Sequence, residues 1–182
     1  MLALRELERG DLPEINAWRQ DGALVRCLGA PFRYINSETE ARWFDDYMAQ
    51  RGDTVRCAIV DQELPGQILG LCSLRDIDWI RRAGELHILI GRAENRRRGL
   101  GTFAVSHLLS HAFADMNLNR VQLGVLADNA PAIGLYRKLG FRTEGRLREY
   151  AYKDGRYMDM LLMSLLRREW RGGKDEGPCD PF

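Results

Sequence analysis

The chain has 182 residues, 45% of them apolar and 29% charged, which suits one globular domain with a proper core. A net charge of +1 excludes the broad basic field of a dedicated nucleic-acid binder. Charge arrives at Arg5-Glu6, too early for a signal peptide, and no apolar run reaches membrane-spanning length, so a cytoplasmic location is expected. The cysteines at 27, 57, 72 and 179 form no C-x-x-C pair and have no partnered histidines, which fits a reduced compartment, with Cys57 and Cys72 read as core residues.

In chain order, Leu2 to Leu7 alternates apolar and polar side chains and predicts a first strand. Asp11-Leu12-Pro13-Glu14 predicts a helix start, with Asp11 as cap, Glu14 three residues on and Pro13 in the first turn; the helix carries Ile15 and Trp18 and ends near Gln20. Residues 21–35 hold Gly22, Gly29 and Pro31 without a clean period and predict an irregular segment or a short broken helix. Ser37-Glu38-Thr39-Glu40 predicts a second capping box, opening a helix with Ala41, Phe44, Tyr47 and Met48 that ends at Gly52-Asp53. Val55 to Val60 and Gln67 to Leu74 predict two strands around a turn at Leu64-Pro65-Gly66. Residues 76–83 are polar and basic, and predict a loop or a frayed strand end.

Gly84 to Ile90 predicts a buried strand, and Phe103 to Ala114, with Ala104, Val105, Leu108, Leu109 and Ala112 at helical spacing, predicts a helix. Between them lies Glu94-Asn95-Arg96-Arg97-Arg98-Gly99-Leu100-Gly101-Thr102, a turn both basic and rich in glycine. Amides at a helix N-terminus lack partners and sit at the positive end of the helix dipole; glycines let an anion approach, and arginines add full charges. The expectation is a phosphate cradle. Arg120 to Leu126 then predicts a strand, Asp128-Asn129-Ala130-Pro131 a helix stopped by Gly140, and Arg142 to Tyr152 with Arg156 to Leu165 a long hairpin about Asp154-Gly155. From Arg171 onward, Gly172, Gly173, Pro178 and Pro181 predict a disordered tail, residues 171–182, after a single domain, residues 1–170. The class is mixed α/β.

Three elements in one order carry a resemblance: Arg96-x-x-Gly99-x-Gly101, then Asn129-x-x-Ala132-Ile133-x-Leu135-Tyr136, then Leu139-Gly140-Phe141. Together they resemble the GCN5-related N-acetyltransferase (GNAT) superfamily over essentially the whole chain to about Trp170. Glu144-Gly145 and the Lys153-Asp154-Gly155-Arg156-Tyr157 hairpin look like the branch of ribosomal-protein N-terminal (alanine) acetyltransferases. Spermidine acetyltransferases and acetyltransferases of nucleotide-linked amino sugars share that look. The resemblance implies a mostly antiparallel, twisted sheet of about seven strands, splayed between the fourth and fifth and flanked by about four helices. It implies acetyl-CoA as donor, its pyrophosphate on the backbone amides of Arg98, Gly99, Leu100, Gly101 and Thr102, near Arg96 and Arg97 or Arg98. The pantetheine arm is expected along the strand edge at Ile88, Leu89 and Ile90, in a gap that opens opposite Gln122 to Val125 after a bulge, with Asn129 bonding the arm or serving as a plain helix cap, or both.

Acetylating an amine requires a group that takes the amine's proton and one that protonates the departing thiolate. By family position Tyr136 is the acid, in direct attack within a ternary complex. Glu85 is the candidate base, a strand-end carboxylate whose pKa a cavity can raise; the competing reading is an exposed pair with Arg81 or Arg82. His87 shares its strand face and is a possible relay. His107 and His111 have zinc-compatible spacing, but Leu108 breaks the protease motif and no acidic third ligand is evident, so no metal is expected. The arginine run lacks an aromatic platform, which argues against nucleic acid.

The expected function is an N-acetyltransferase acting on a primary amine of a small molecule or a protein N-terminus. The alternative is a non-catalytic acyl-CoA-binding regulatory module, which the presence of Tyr136 disfavours. Ribosomal-protein N-termini, polyamines and nucleotide-linked amino sugars stay open as acceptors, with specificity expected in residues 21–35, the helix from Ser37 and the Asp154-Gly155 hairpin. Glu38, Glu40, Asp45 and Asp46 offer carboxylates to a polyamine, but residues 28–35 lack an acidic pair; Trp18-Arg19 and Trp43 suit stacking on a sugar nucleotide or clasping a peptide terminus. Edge strands of the final hairpin offer a homodimer contact.

Overall fold

A computed structural model of the chain describes residues 1–64 and 66–172. Pro65 of the predicted turn, and the predicted tail beyond Gly172, lie outside the described residues. Seven strands are present: β1 (Leu2–Glu6), β2 (Val55–Asp61), β3 (Ile68–Asp78), β4 (Ala83–Ile90), β5 (Arg120–Leu126), β6 (Arg142–Lys153) and β7 (Arg156–Leu166). They form one sheet in the order β1-β2-β3-β4-β5-β7-β6. Every neighbouring pair is antiparallel except β4 with β5, whose connection crosses over through a helix. The helices are α1 (Leu12–Gln20), α2 (Gly22–Arg26), α3 (Ser37–Ala49), α4 (Leu100–Ser110) and α5 (Ala130–Lys138). That is one more than the expected four. The fifth is α2, five residues inside the stretch read as irregular or as a short broken helix, and its cap Asp21 accepts the amides of Ala23 and Leu24.

Alternation along the central strands sorts the helices onto two faces. Ile59, Cys72, Leu74 and Leu86 point to α4 and pack on Ala104, Val105, Leu108 and Leu109. Ala58 and Ile68 point the other way, onto Ile15 and Trp18 of α1 and Phe44 and Tyr47 of α3. β4 and β5 pair over three residues, Ala83–Glu85 against Arg120–Gln122. Beyond that, β4 stays with β3 as far as Ile90 and β5 stays with β7 as far as Leu126. The two strands therefore part, and among the described residues no strand covers the β5-facing edge of β4 from Leu86 to Ile90. The parting begins without a register shift between β4 and β5; the irregularity here lies in the β3–β4 pairing, between Arg75 and Asp78 opposite Ala83 to Glu85.

Both predicted capping boxes are replaced by other bonds. Asp11 has helical backbone angles (φ −80°, ψ −18°) and makes no cap bond to α1. Its carboxylate instead takes a two-pronged hydrogen bond from Arg5 at 2.7 and 2.8 Å and the amide of Glu8 at 2.9 Å; a bidentate guanidinium donor outcompetes a single backbone amide. Helix α3 is capped by Asn36, whose Oδ1 accepts the Thr39 amide at 2.8 Å, while Glu40 turns inward to Arg19. That helix stops at Ala49 with Gln50 as its C-cap, ahead of Gly52. β3 runs through residues 76–78, because Ile77 is buried there, and the remaining turn is closed by Asp78 accepting the amides of Ile80 and Arg81. Helix α4 continues into a π-helical turn over His111–Asp115. Asp154 (φ 50°) and Gly155 (φ 78°) both take left-handed angles, as a two-residue hairpin turn that follows strand twist requires.

Trp18 is locked between the sheet end and α1. Its indole nitrogen donates to Glu14 at 3.0 Å, and Glu14 in turn holds Arg92 at 2.9 Å. A Cβ on Gly91 would lie 2.1 Å from the Trp18 ring. Gly91→Ala is therefore expected to cost about 1–3 kcal/mol by overpacking. In a chain of this size that lowers Tm by about 2–4 °C per kcal/mol. An unchanged thermal midpoint would show that Trp18 does not pack on Gly91.

Candidate active site

The basic glycine turn lies where the sequence places it, between the end of β4 and the start of α4. Gly99 is the N-cap of α4 with φ +83°, and no side chain caps the helix. Arg97 also takes a left-handed angle, φ 61°, so the chain curls and presents successive amides to one side. Gly99 accepts the amide of Phe103 at 2.9 Å, which leaves the amides of Gly99 to Thr102 outside the helical ladder. The two glycines answer different constraints. Gly99 supplies the left-handed turn, whereas a Cβ on Gly101 would sit 3.1 Å from Leu135, so Gly101 lets α4 approach α5. Arg96 is half-buried and reaches back to the Gly91 carbonyl at 3.4 Å, while Arg97 and Arg98 are exposed and make no ion pair among the described residues.

The open edge of β4 lies next to this turn. Ile88 and Ile90 face the α4 side and pack against its core, and Leu89 faces the other side of the sheet. Across the gap, α5 begins at Asn129. Its side-chain oxygen accepts the Ala132 amide at 3.3 Å and its nitrogen donates to the Cys27 carbonyl at 3.2 Å, so the cap and a tie to the end of α2 use both ends of the amide. Tyr136 lies about two helical turns further on, buried with its ring centroid 5.6 Å from that of Phe141. The Leu139-Gly140-Phe141 motif has a mechanical reading. Gly140 (φ +97°) ends α5, and the Phe141 amide returns to the Tyr136 carbonyl at 2.9 Å, bringing the two rings together. Burial pushes the Tyr136 phenol up to about 12, so it keeps its proton at any physiological pH.

The opposite face of the sheet carries the candidate base. Glu85 and His87 stand two residues apart on β4, and Arg75 lies directly across from Glu85 on β3. His87 Nε2 is 3.0 Å from Glu85 Oε1 and 2.7 Å from an Arg75 terminal nitrogen. That nitrogen can donate to Glu85 or accept from Arg75, but not both at once. The neighbouring imidazole, and then Arg75, hold the Glu85 carboxyl below its usual range. The expectation of a raised Glu85 pKa is thus overturned, because an imidazole contact outweighs half-burial. So is the pairing with Arg81 or Arg82: Arg81 is taken by Asp78 at 2.6 Å, and the partner of Glu85 is His87.

Sequence reading missed the arginines of this face. Arg56 lies opposite Ser73 on the same face as His87, and the guanidinium carbons of Arg56 and Arg19 stand 4.8 and 5.1 Å from the Trp43 ring centre. The Nε atoms of Arg56 and Arg75 are buried without a hydrogen-bond partner. The available signal was an arginine at alternate positions of otherwise apolar strands. Beside this face is a cavity of about 130 Å³ walled by Leu71 and Leu89 of the sheet, Ile15 and Trp18 of α1, and the segment after α2. Lys153 of β6 anchors that segment by donating to the carbonyls of Val25 at 2.7 Å and Ala30 at 2.5 Å. His107 bonds the Phe103 carbonyl and His111 bonds Asp115, and among the described residues no group of three or more His, Cys, Asp or Glu comes together to hold a metal. Among those residues, too, no helix is long and apolar enough to cross a membrane.

Comparison with known proteins agrees with this geometry. Residues 1–142 match the acetyltransferase (GNAT) domain family. A spermidine N(1)-acetyltransferase of Vibrio cholerae is 28% identical over 170 residues, covering 93% of this chain and 95% of that protein. An L-methionine sulfoximine/L-methionine sulfone acetyltransferase of Pseudomonas aeruginosa is 31% identical over 166 residues, covering 90% and 93%. The solved structure of the Vibrio cholerae spermidine N-acetyltransferase with CoA and spermine superposes with a TM-score of 0.85 at 27% identity, over 92% of this chain and 96% of that one. A parted strand pair, an uncapped basic helix start between its strands and a whole-length match place this chain in the GNAT acetyltransferase family, enzymes whose acetyl donor is acetyl-CoA.

Proposed function

We propose that the chain transfers the acetyl group of acetyl-CoA to a primary amine by direct attack in a ternary complex. The observation that carries this reading is the parting of β4 and β5 with three features around it: open amides at Gly99 to Thr102, the bare edge at Ile88 to Ile90, and Tyr136 held protonated on α5. The amides and Arg96, Arg97 and Arg98 hold the coenzyme pyrophosphate, and the β4 edge takes the pantetheine arm as an added strand. Asn129 frames the gap from α5. The amine nitrogen forms its bond to the thioester carbon as the C–S bond breaks. A backbone amide of the bare edge stabilises charge on the carbonyl oxygen.

The proton lost by the amine passes, directly or through water, to the Glu85–His87 pair on the acceptor side. Glu85 is ionised at working pH, so its part is to orient and stabilise the imidazole, and His87 is the group that accepts. The Tyr136 hydroxyl gives its proton to the departing thiolate. A phenol near 12 is a weak acid, but the same burial raises the basicity of a thiolate formed beside it.

Three measurements test the assignment. Tyr136→Phe is expected to lower kcat by about 10²-fold or more while leaving the CoA dissociation constant within about twofold; unchanged kcat removes Tyr136 from the mechanism. Arg97→Ala with Arg98→Ala is expected to raise that dissociation constant about tenfold, with a weaker salt dependence, as loss of charge-assisted phosphate contacts requires. In an ultraviolet titration, Tyr136→Phe should leave the amount of tyrosinate formed below pH 11 unchanged, because the folded phenol still holds its proton there. By linkage, the stability this group contributes is present below about 10, the unfolded value, and is lost as pH rises from there through about 12. Tight coenzyme binding without thiol release for any amine would leave a binding module in place of an enzyme.

A further inference from the structure

The acceptor cavity is lined by positive charge alone, and the carboxylates near it are ion-paired. The charged groups lining it are Arg19 and Arg33, and no acidic side chain lines it. Arg33 makes no hydrogen bond or ion pair among the described residues. Arg19 gives its Nε to Glu40 at 2.8–3.0 Å and lies over the Trp43 ring, and its two terminal nitrogens make no hydrogen bond among the described residues. On the adjoining sheet face Arg56 and Arg75 add two more guanidinium groups, each with an orphaned buried Nε. The nearby acids are each paired: Glu40 with Arg19, although its buried Oε2 takes no hydrogen bond, Glu85 with His87, and Glu14 with Arg92 and Trp18. The rest of the lining is apolar, chiefly Ile15, Val25, Leu28, Leu71 and Leu89.

Resting on the acetyl-transfer reading, we propose that the acceptor is a small α-amino acid with an apolar side chain. Its carboxylate is held by Arg33 and the free end of Arg19, and its side chain rests on Leu28 and Leu71. Its amine is directed past Leu89 to the thioester at the β4 edge. The guanidinium fork matches a carboxylate in shape as well as charge. A cavity of about 130 Å³ fits an acceptor of this size. A polyamine would bring one or more surplus ammonium groups into a pocket whose charged lining is arginine alone, which repels them and offers no carboxylate in return.

The test is thiol release at saturating acetyl-CoA with L-leucine, L-methionine, L-leucinamide and spermidine. L-Leucine or L-methionine is expected to show kcat/KM at least about tenfold above L-leucinamide and spermidine, the size of effect that loss of one ion-paired group produces. The amide's amine is the easier one to deprotonate, so intrinsic reactivity works against this result. Arg33→Gln, on an exposed side chain without protein partners, is expected to raise KM for the amino acid about tenfold and bring the acid-to-amide ratio towards one. Equal or better turnover of the amide or of spermidine overturns the proposal and leaves acetyl transfer standing, as does an acid-to-amide ratio unaffected by Arg33→Gln. Silence with all four amines, with CoA bound by calorimetry, overturns the proposal and leaves acetyl transfer to an amine of another class standing.

Discussion

Everything in this molecule depends on two parallel strands that pair for three residues and then separate. Continued pairing of β4 with β5 would satisfy five more residues of backbone and close the sheet. Those bonds are absent because beyond Glu85 and Gln122 the strands diverge, β4 keeping its pairing with β3 and β5 its pairing with β7. The outcome is an opening through the middle of a sheet whose two faces are otherwise sealed by separate cores. An unpaired edge buried inside a protein is costly unless something bonds to it, so the opening amounts to a standing demand for an extended polar chain.

That opening also divides the chemistry by face. The helix α4 side is apolar against the sheet and ends in amides and arginines at its tip, a setting for a phosphate at the mouth and a thin arm within. The side covered by α1 to α3 carries Arg56, Arg75, Glu85 and His87 in register across three strands. Period-two alternation does the sorting: Leu86 and Ile88 point to one helix layer, Glu85, His87 and Leu89 to the other. A one-residue slip of β4 would exchange the two sets and remove both sites at once.

Much of this was legible in the sequence, and for physical reasons. The turn from Arg96 to Thr102 announces itself because only glycine adopts φ +83° at ease and only arginines supply its charge. Asp154-Gly155 was equally plain, since both residues are chosen for left-handed angles. The helix starts were harder. Asp11 and Ser37 have the right chemistry for capping, yet Asp11 is drawn to Arg5 and the cap of α3 falls to Asn36, choices made by partners distant in sequence or by one residue of phase. The Glu85 pKa was misjudged in the same way: its strand end was visible, but the imidazole 3.0 Å away outweighed it. The arginines of the acceptor face were illegible because charge in a strand is ordinarily solvent-facing, and only the tertiary fold turns Arg56 and Arg75 inward.

The segment between α2 and α3 is fastened almost entirely through its carbonyl oxygens. Lys153 takes those of Val25 and Ala30, Asn129 takes that of Cys27, and Asp154 adds an ion pair to Arg26 at 3.2 Å. Every residue type presents a carbonyl, so apart from the Arg26 ion pair these attachments place no demand on which side chains the segment carries. The wall of the acceptor pocket can therefore be rewritten residue by residue while its course through space is dictated from the far end of the chain. Within such a family, acceptor preference becomes free to drift without refolding the enzyme, whereas a change at Lys153 would disturb the pocket from outside it. The two ends of the polypeptide divide the labour: one varies what is recognised, and the other keeps the shape in which recognition happens.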